Sequence, residues 1–390
     1  MIRCAFLLFA FIAYSLAQQL PRPEYPQPQF QREQWLSLNG PWEFEFDDAN
    51  AGLEQNWGSG QKKFSKTILV PFSFETSKSG IHDTSFHPWV WYRRTFNVPS
   101  QWRQKRVLLH FGAVDYRATV WVNAQKAGSH EGGHVPFRFD ITPLLRDGAN
   151  VVVVRAEDPP RDRFIPRGKQ YWEPESRGIF YTRTTGIWQP VWLEAAGTSY
   201  LERVRITPTN DGVVRFDARI AAPSGDLSFY AIVSPEGRQS ALAMVRASEN
   251  RAAAAARIDS PRLWSPNSPN LYDVTFELRR GDAVVDRVRS YFGFRSVSVE
   301  SGRVHLNGRP IYLKMVLDQG YWPESTITPP TDDAIQYDIR LTKEMGFNGV
   351  RKHQKLEDPR FLYWADRMGL LVSSEMANAS SGLSRVYSIA

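Results

Sequence analysis

Seven short runs, GPWEFEFDD, VWYRRTFNVP, RVLLHFG, ATVWVNAQ, FRFDIT, NVVVVRAED and GIWQPVWLE, follow one another between Trp35 and Glu194. Each alternates apolar and polar residues and is bounded by turn formers, the pattern of strands exposed on one face. Such spacing admits little but an all-β unit, and a jelly-roll β-sandwich is the economical form. A second set, LERVRITP, GVVRFDARI, LSFYAIVSP, LYDVTFELRR and VVDRVRSYFGF, covers about residues 200–297. Short strands at that density point to an immunoglobulin-like sandwich. RAAAAAR, residues 251–257, has helical propensity but is short and uncapped, so it reads as strand or loop.

After Val299 the pattern changes. IYLKMVLD is apolar with little alternation, as expected of a parallel strand covered on both faces. TDDAIQYDIRLTKEMG predicts a helix capped by Thr331, with Asp332 and Asp333 favouring the positive end of its dipole. Ala334, Tyr337, Leu341 and Met345 recur at helical spacing, and Gly346 is a natural stop. FNGVRKHQ is a second strand. DPRFLYWADRMG is a second helix, with Asp358 as cap, Pro359 in the first turn and Gly369 as stop. LLVSSEM is a third strand. This β-α-β-α-β order begins a doubly wound sheet or an eightfold barrel.

At about 150 residues per domain, 390 residues hold two or three domains. The expected division is a signal peptide at 1–17, an extended Pro/Gln-rich leader at 18–34, a jelly roll at 35–198, an immunoglobulin-like sandwich at 199–297 and an α/β unit at 298–390. MIRCAFLLFAFIAYSLA carries a basic residue, an apolar run and a small-x-small end, which predicts cleavage after Ala17 and a secreted or periplasmic protein. No later stretch is apolar enough to anchor the chain in a membrane. The single cysteine, Cys4, would leave with the signal, so no disulfide is expected. The net charge of +7 comes from basic residues scattered among acidic ones, which argues against a nucleic-acid partner. Thirteen Trp suit either sugar faces or sandwich cores, and the sequence leaves both open.

HEGGH, His130 to His134, matches the spacing of a zinc-protease helix. Gly132, Gly133 and the following Pro136 speak against a helix there, and flanking strands make it a glycine loop. No other histidines have metal-ligand spacing, and neither metal nor cofactor is expected. In parallel βα arrays the active site lies at the C-terminal ends of the strands. That rule selects Asp318, with Gln319, Tyr321 and Trp322 on the following loop; Arg351, His353 and Gln354; and Glu375. The set is polar, of mixed charge and partly aromatic, suited to holding a sugar ring. Asp318 and Glu375 could serve as a glycosidase pair only at about 5–5.5 Å for retention.

In order along the chain, LNGPWEFEF, WVWYRRTFNVP, VWVNAQKAGSHEGGHVPFRFDIT, TTGIWQPVWLE, LWSPNSPNLYDV, YFGFRSVSV, LNGRPIYLKMVLDQGYWP and MGFNGVRKHQKLEDPRFLYWADRMGLLV resemble glycoside hydrolase family 2, the β-galactosidase, β-glucuronidase and β-mannosidase family. The resemblance covers about Trp35 to Asn378. It implies a sugar-binding jelly roll, an immunoglobulin-like sandwich and a TIM barrel, here represented by its first three strands. It also implies an oligo- or polysaccharide β-glycoside as substrate, hydrolysed with retention. The family's acid/base Glu follows an Asn at the fourth barrel strand, and its nucleophile lies on the seventh. The chain contains no Asn-Glu dipeptide, so both catalytic carboxylates are expected to be missing. Arg351 and His353 fall where the family places substrate-side and nucleophile-orienting groups. Asp158 resembles an acidic loop residue that reaches the sugar, and the long loop after it resembles a second such element. A three-stranded fragment should leave an open edge and an apolar inner face, so residues 298–390 are not expected to pack stably as a barrel. The expectations are therefore a truncated, inactive family member, a non-catalytic carbohydrate-binding protein, or a non-functional product.

Overall fold

A computed structural model describes residues 20–234 and 241–379. The proposed signal peptide and the final SGLSRVYSIA lie outside the described residues.

Two antiparallel sheets form the first sandwich. The larger runs in the order Lys66–Val70, Gly40–Phe46, Trp89–Asn97, Ala149–Glu157, Arg117–Val122, Gln125–Glu131. The smaller runs Trp35–Ser37, Val191–Ala196, Arg106–Phe111, Phe137–Asp140. Alternation decides which face each residue takes. On the central strand Val152, Val154 and Ala156 enter the core with Trp42, Phe44 and Val120. Val153, on the opposite face, is buried against Trp57 and Trp91, with Trp121 packed alongside. Trp42, Trp91, Trp188 and Trp264 are among the largest fully buried side chains. These rings therefore serve the scaffold rather than a ligand; each contributes on the order of 4–6 kcal/mol by area.

The second sandwich stacks Tyr200–Pro208, Val213–Ala221 and Arg251–Arg257 on Ala241–Arg246, Ser228–Ser234, Tyr272–Arg280 and Ala283–Phe292. Val214, Phe216, Ala218 and Ile220 face in, while Arg215, Asp217 and Arg219 face out. RAAAAAR is a strand, paired along its length with Val213–Ala221. Sheet pairing overrides alanine's helical propensity, and Ala252 and Ala256 pack inward.

Residues 20–34 strap the molecule together. Arg32 donates to Glu194 of the first sandwich, and to Asp286 and the Leu201 carbonyl of the second. Arg22 reaches Asp358 and the Pro329 carbonyl, and Gln29 the Pro359 carbonyl, in the third unit.

That third unit opens with an antiparallel sheet of Val297–Glu300, Arg303–Leu306 and Arg309–Pro310. Three parallel strands follow: Met315–Asp318, Gly349–Lys352 and Leu371–Ser374. Helix α1, Asp332–Glu344, is capped by the Thr331 hydroxyl, and α2, Pro359–Met368, by the Asp358 carboxylate. Val316, Val350 and Val372 pack beneath both helices with Ile335, Ile339, Phe361 and Ala365.

Two expectations are corrected here. The buried stripe of α1 is Ile335 and Ile339, whereas Tyr337, Leu341 and Met345 are exposed, because the sheet meets the helix one residue round from the apolar spacing read in the sequence. The parallel strands are covered on one face only: Leu317 is 53% exposed, and Arg351 and Ser373 are exposed beside it. What packs is thus a three-stranded sheet under two helices.

Candidate functional site

Side-chain parity sorts the residues at the strand ends. Leu317, Arg351 and Ser373 lie in register across the sheet on the face away from the helices. Glu375, just past the third strand, closes the same corner. Arg351 Nε donates to Glu375 Oε1, His353 Nδ1 lies 2.8 Å from Oε2, and the Gln354 amide donates to Oε2 at 3.2 Å. Burial raises the Glu375 carboxyl, but the donors from His353, Arg351 and Gln354 outweigh it and hold the group below the usual carboxylate range. Glu375 therefore accepts three hydrogen bonds and orients two side-chain neighbours.

Asp318 follows a different course. It shares parity with Val316 and turns toward the helix layer, where Oδ2 meets Lys352 Nζ at 2.6 Å and Oδ1 accepts from the Gly320 amide at 2.7 Å. Lys352 and Lys355 both pair with Glu357 at 2.8 Å. Burial opposes ionisation of Glu357, but the two lysines hold it down to about 2. Lys355 also donates to the carbonyls of Gly320 and Ile327, at 2.8 Å each. This buried clamp fixes the loop after the first strand against the loop after the second. The backbones carrying Asp318 and Glu375 are two strands apart, roughly 9.6 Å by strand spacing, and the side chains turn to opposite faces of the sheet. They therefore do not face each other across one site as a retaining pair does.

Gln319, Tyr321 and Trp322 line an open groove of about 560 Å³ along the first strand, with Asp318, Leu341 and Met345. The Tyr321 ring stacks on Tyr181 of the first sandwich at 4.1 Å between centroids.

Asp158 does not reach the Arg351–His353–Glu375 corner, the mouth of the parallel strands: it is 1% exposed, accepting from Arg167 at 3.0 Å and the Thr185 hydroxyl at 2.9 Å. It belongs to a buried polar layer with Asp115, Gln170, Glu75 and Arg183. The loop after it does reach the mouth. The amides of Arg167 and Gly168 donate to the Asn378 carbonyl at 3.1 and 3.0 Å. Gly168 sits so close to the Gln354 carbonyl that a Cβ would overlap it. Asp158 therefore anchors the loop through Arg167.

His130 and Glu131 end a strand rather than occupying a helix, and His134 is buried beside Trp188. No cluster of metal ligands occurs among the described residues.

Sequence reasoning missed Lys352, Lys355, Glu357 and Tyr181. A signal existed for Lys352: it shares parity with Val350, and a lysine on a helix-covered face demands an acid nearby.

Comparison with known proteins agrees with this architecture. Residues 35–172 match the model of glycosyl hydrolases family 2, sugar binding domain, and residues 199–295 match glycosyl hydrolases family 2. A β-galactosidase of Thermoanaerobacter pseudethanolicus is 26% identical over 88% of the chain and 45% of its own length. A β-glucuronidase of Paenibacillus borealis is 26% identical over 87% of the chain and 58% of its length. Among solved structures, a β-glucuronidase from Ruminococcus gnavus superposes with a TM-score of 0.76 at 23% identity, over 92% of the chain and 62% of that protein, a likeness of fold. The chain thus spans about half the length of the curated relatives it matches. With two consecutive domains matched in the family's order and the third unit docked on them, the chain belongs to glycoside hydrolase family 2.

Proposed function

We propose that these residues form the sugar-positioning part of a β-glycosidase site, and that the 390-residue chain binds a β-glycoside without cleaving it. The observation that carries this is the Arg351–Glu375–His353 cluster at the open ends of the parallel strands, overhung by a loop of the family's sugar-binding domain. Arg351 and His353 offer donors to sugar hydroxyls or a carboxylate, and Glu375 fixes their directions.

Retaining hydrolysis needs a protonated acid on the leaving oxygen and a nucleophilic carboxylate on the anomeric carbon. Glu375 is held ionised by its donors, and Asp318 is spent on Lys352, so neither supplies the acid. Both catalytic carboxylates would belong to the remainder of a barrel whose first three strands are the parallel strands seen here. Export through residues 1–17 would place the protein where extracellular glycans are met.

Equilibrium binding of 4-nitrophenyl β-glucuronide, β-galactoside and β-mannoside tests the reading. Saturable binding of at least one, lost in Arg351→Ala, is expected. Absence of binding to all three would overturn it.

A further inference from the structure

The loop between Glu157 and Gly186 contains no helix or strand, yet it is tightly organised. Unstructured connections of that length inside a domain are usually functional. Tyr171 and Tyr181 are joined by a backbone hydrogen bond of 2.8 Å, and Tyr181 donates to the Lys169 carbonyl at 2.9 Å. This pinch brings Tyr171, Trp172 and Phe180 together, with ring centroids 4.9–5.4 Å apart. Arg163 lies 4.2 Å from the Trp172 ring centre.

Two facts place this cluster beside the mouth. Phe180 adjoins Tyr181, whose ring stacks on Tyr321. Trp172 follows closely on Gly168, which is seated against Gln354. Tyr171, Trp172 and Phe180 are half-buried against one another, and the apolar surface beside them stays open: Phe164 is 55%, Ile179 64% and Tyr181 38% exposed.

We propose that the Tyr171, Trp172 and Phe180 cluster, continued by Tyr181, is a stacking platform for further sugar units of a β-linked oligosaccharide whose first unit sits at the mouth. The inference rests on the mouth being a carbohydrate site. The occupant is argued from continuity with that site and from chemistry. Pyranose faces present C–H groups that lie flat on aromatic rings, while ring hydroxyls remain available to a guanidinium such as Arg163. A small aryl glycoside would not reach the platform, so chain length becomes a determinant of affinity.

The test uses the full 390-residue chain and, as probes, β-1,4-galactotetraose, β-1,4-mannotetraose and a hyaluronan tetrasaccharide, each against the corresponding methyl monoglycoside. A tetrasaccharide is expected to bind at least about tenfold more tightly than its monoglycoside, a difference of about 1.4 kcal/mol. Trp172→Ala and Phe180→Ala should remove that advantage and leave monoglycoside binding unchanged, and Trp172→Phe should restore it. Equal affinity for long and short ligands, or an advantage that survives Trp172→Ala and Phe180→Ala, overturns the platform, as does failure of all three tetrasaccharides to bind. Tetrasaccharide binding that needs Trp172 but is indifferent to Arg351→Ala would keep the platform and sink the mouth.

Discussion

At the scale of single residues, the mouth is organised by one carboxylate. Glu375 accepts from Arg351, His353 and the Gln354 amide, and each donor is thereby aimed. In the Arg351–Glu375 pair the arginine is exposed and the glutamate half-buried, and pairs at the surface contribute about 0–1 kcal/mol to stability. Glu375→Gln is therefore expected to weaken β-glycoside binding by about tenfold while moving the melting temperature by no more than ~3 °C. Titration calorimetry beside thermal denaturation checks the split. A loss of stability matching the loss of binding would mean that Glu375 supports the fold instead. Arg351, His353 and Glu375 were legible in the sequence because parallel strands converge at their C-terminal ends. Asp318 was selected by the same rule, yet it faces the helices. The rule fixes position along a strand, but side-chain parity fixes the face.

Among the elements, the long loop of the first sandwich is the part least readable in advance. Its docking depends on Gly168, at φ +63° with no room for a Cβ beside the Gln354 carbonyl. Gly178, also at φ +63°, has nothing within 4 Å. Both pay the same backbone strain on substitution, of order 1–2 kcal/mol. Gly168→Ala should in addition undock the loop from Asn378, lowering hydrogen-exchange protection of the Arg167 amide by at least about tenfold, with Gly178→Ala as the control. Equal effects of the two substitutions would show that the contact does not hold the loop. Strands and helices could be read from periodicity and caps, since Thr331, Asp358 and Gly369 act locally. The buried stripe of α1 could not, because it is chosen by the sheet beneath it.

For the whole molecule, the segment before Trp35 is the unexpected structural member. It reads as a leader by composition, but Arg32 is buried between Glu194 and Asp286 and so joins both sandwiches. Arg32→Met would strand two buried carboxylates, and breaking such a pair costs about 3–5 kcal/mol. Urea unfolding should show that loss, together with separate transitions for the two sandwiches; a single unchanged transition would remove Arg32 from this role.

Stability against pH has two limbs. Burial pushes Glu75 up to about 7 and, aided by Asp158, raises Asp115. A raised carboxyl favours the folded state fully below its unfolded value and loses that contribution as pH climbs through the folded one. Burial lowers His110 and His134 to about 4, so their neutral forms favour the fold until pH drops from about 6.5 toward 4. Glu357 and Glu194, both held at about 2, add to the acid limb below about 4.5. The carboxyl losses, from about pH 4.5 upward, and the histidine gains, up to about pH 6.5, oppose each other, so the melting temperature should stay nearly level between about pH 4.5 and 6.5 and fall on both sides, and Glu75→Gln should make it climb across that stretch. A monotonic profile would contradict this assignment.

The most direct measurement is one titration of the purified 390-residue chain with chromogenic β-glycosides, reading bound ligand and released 4-nitrophenolate together. Saturable binding with no release above buffer is the predicted result. Release that saturates with substrate and disappears in Glu375→Gln would contradict the account, because it would make an orienting carboxylate a catalytic one.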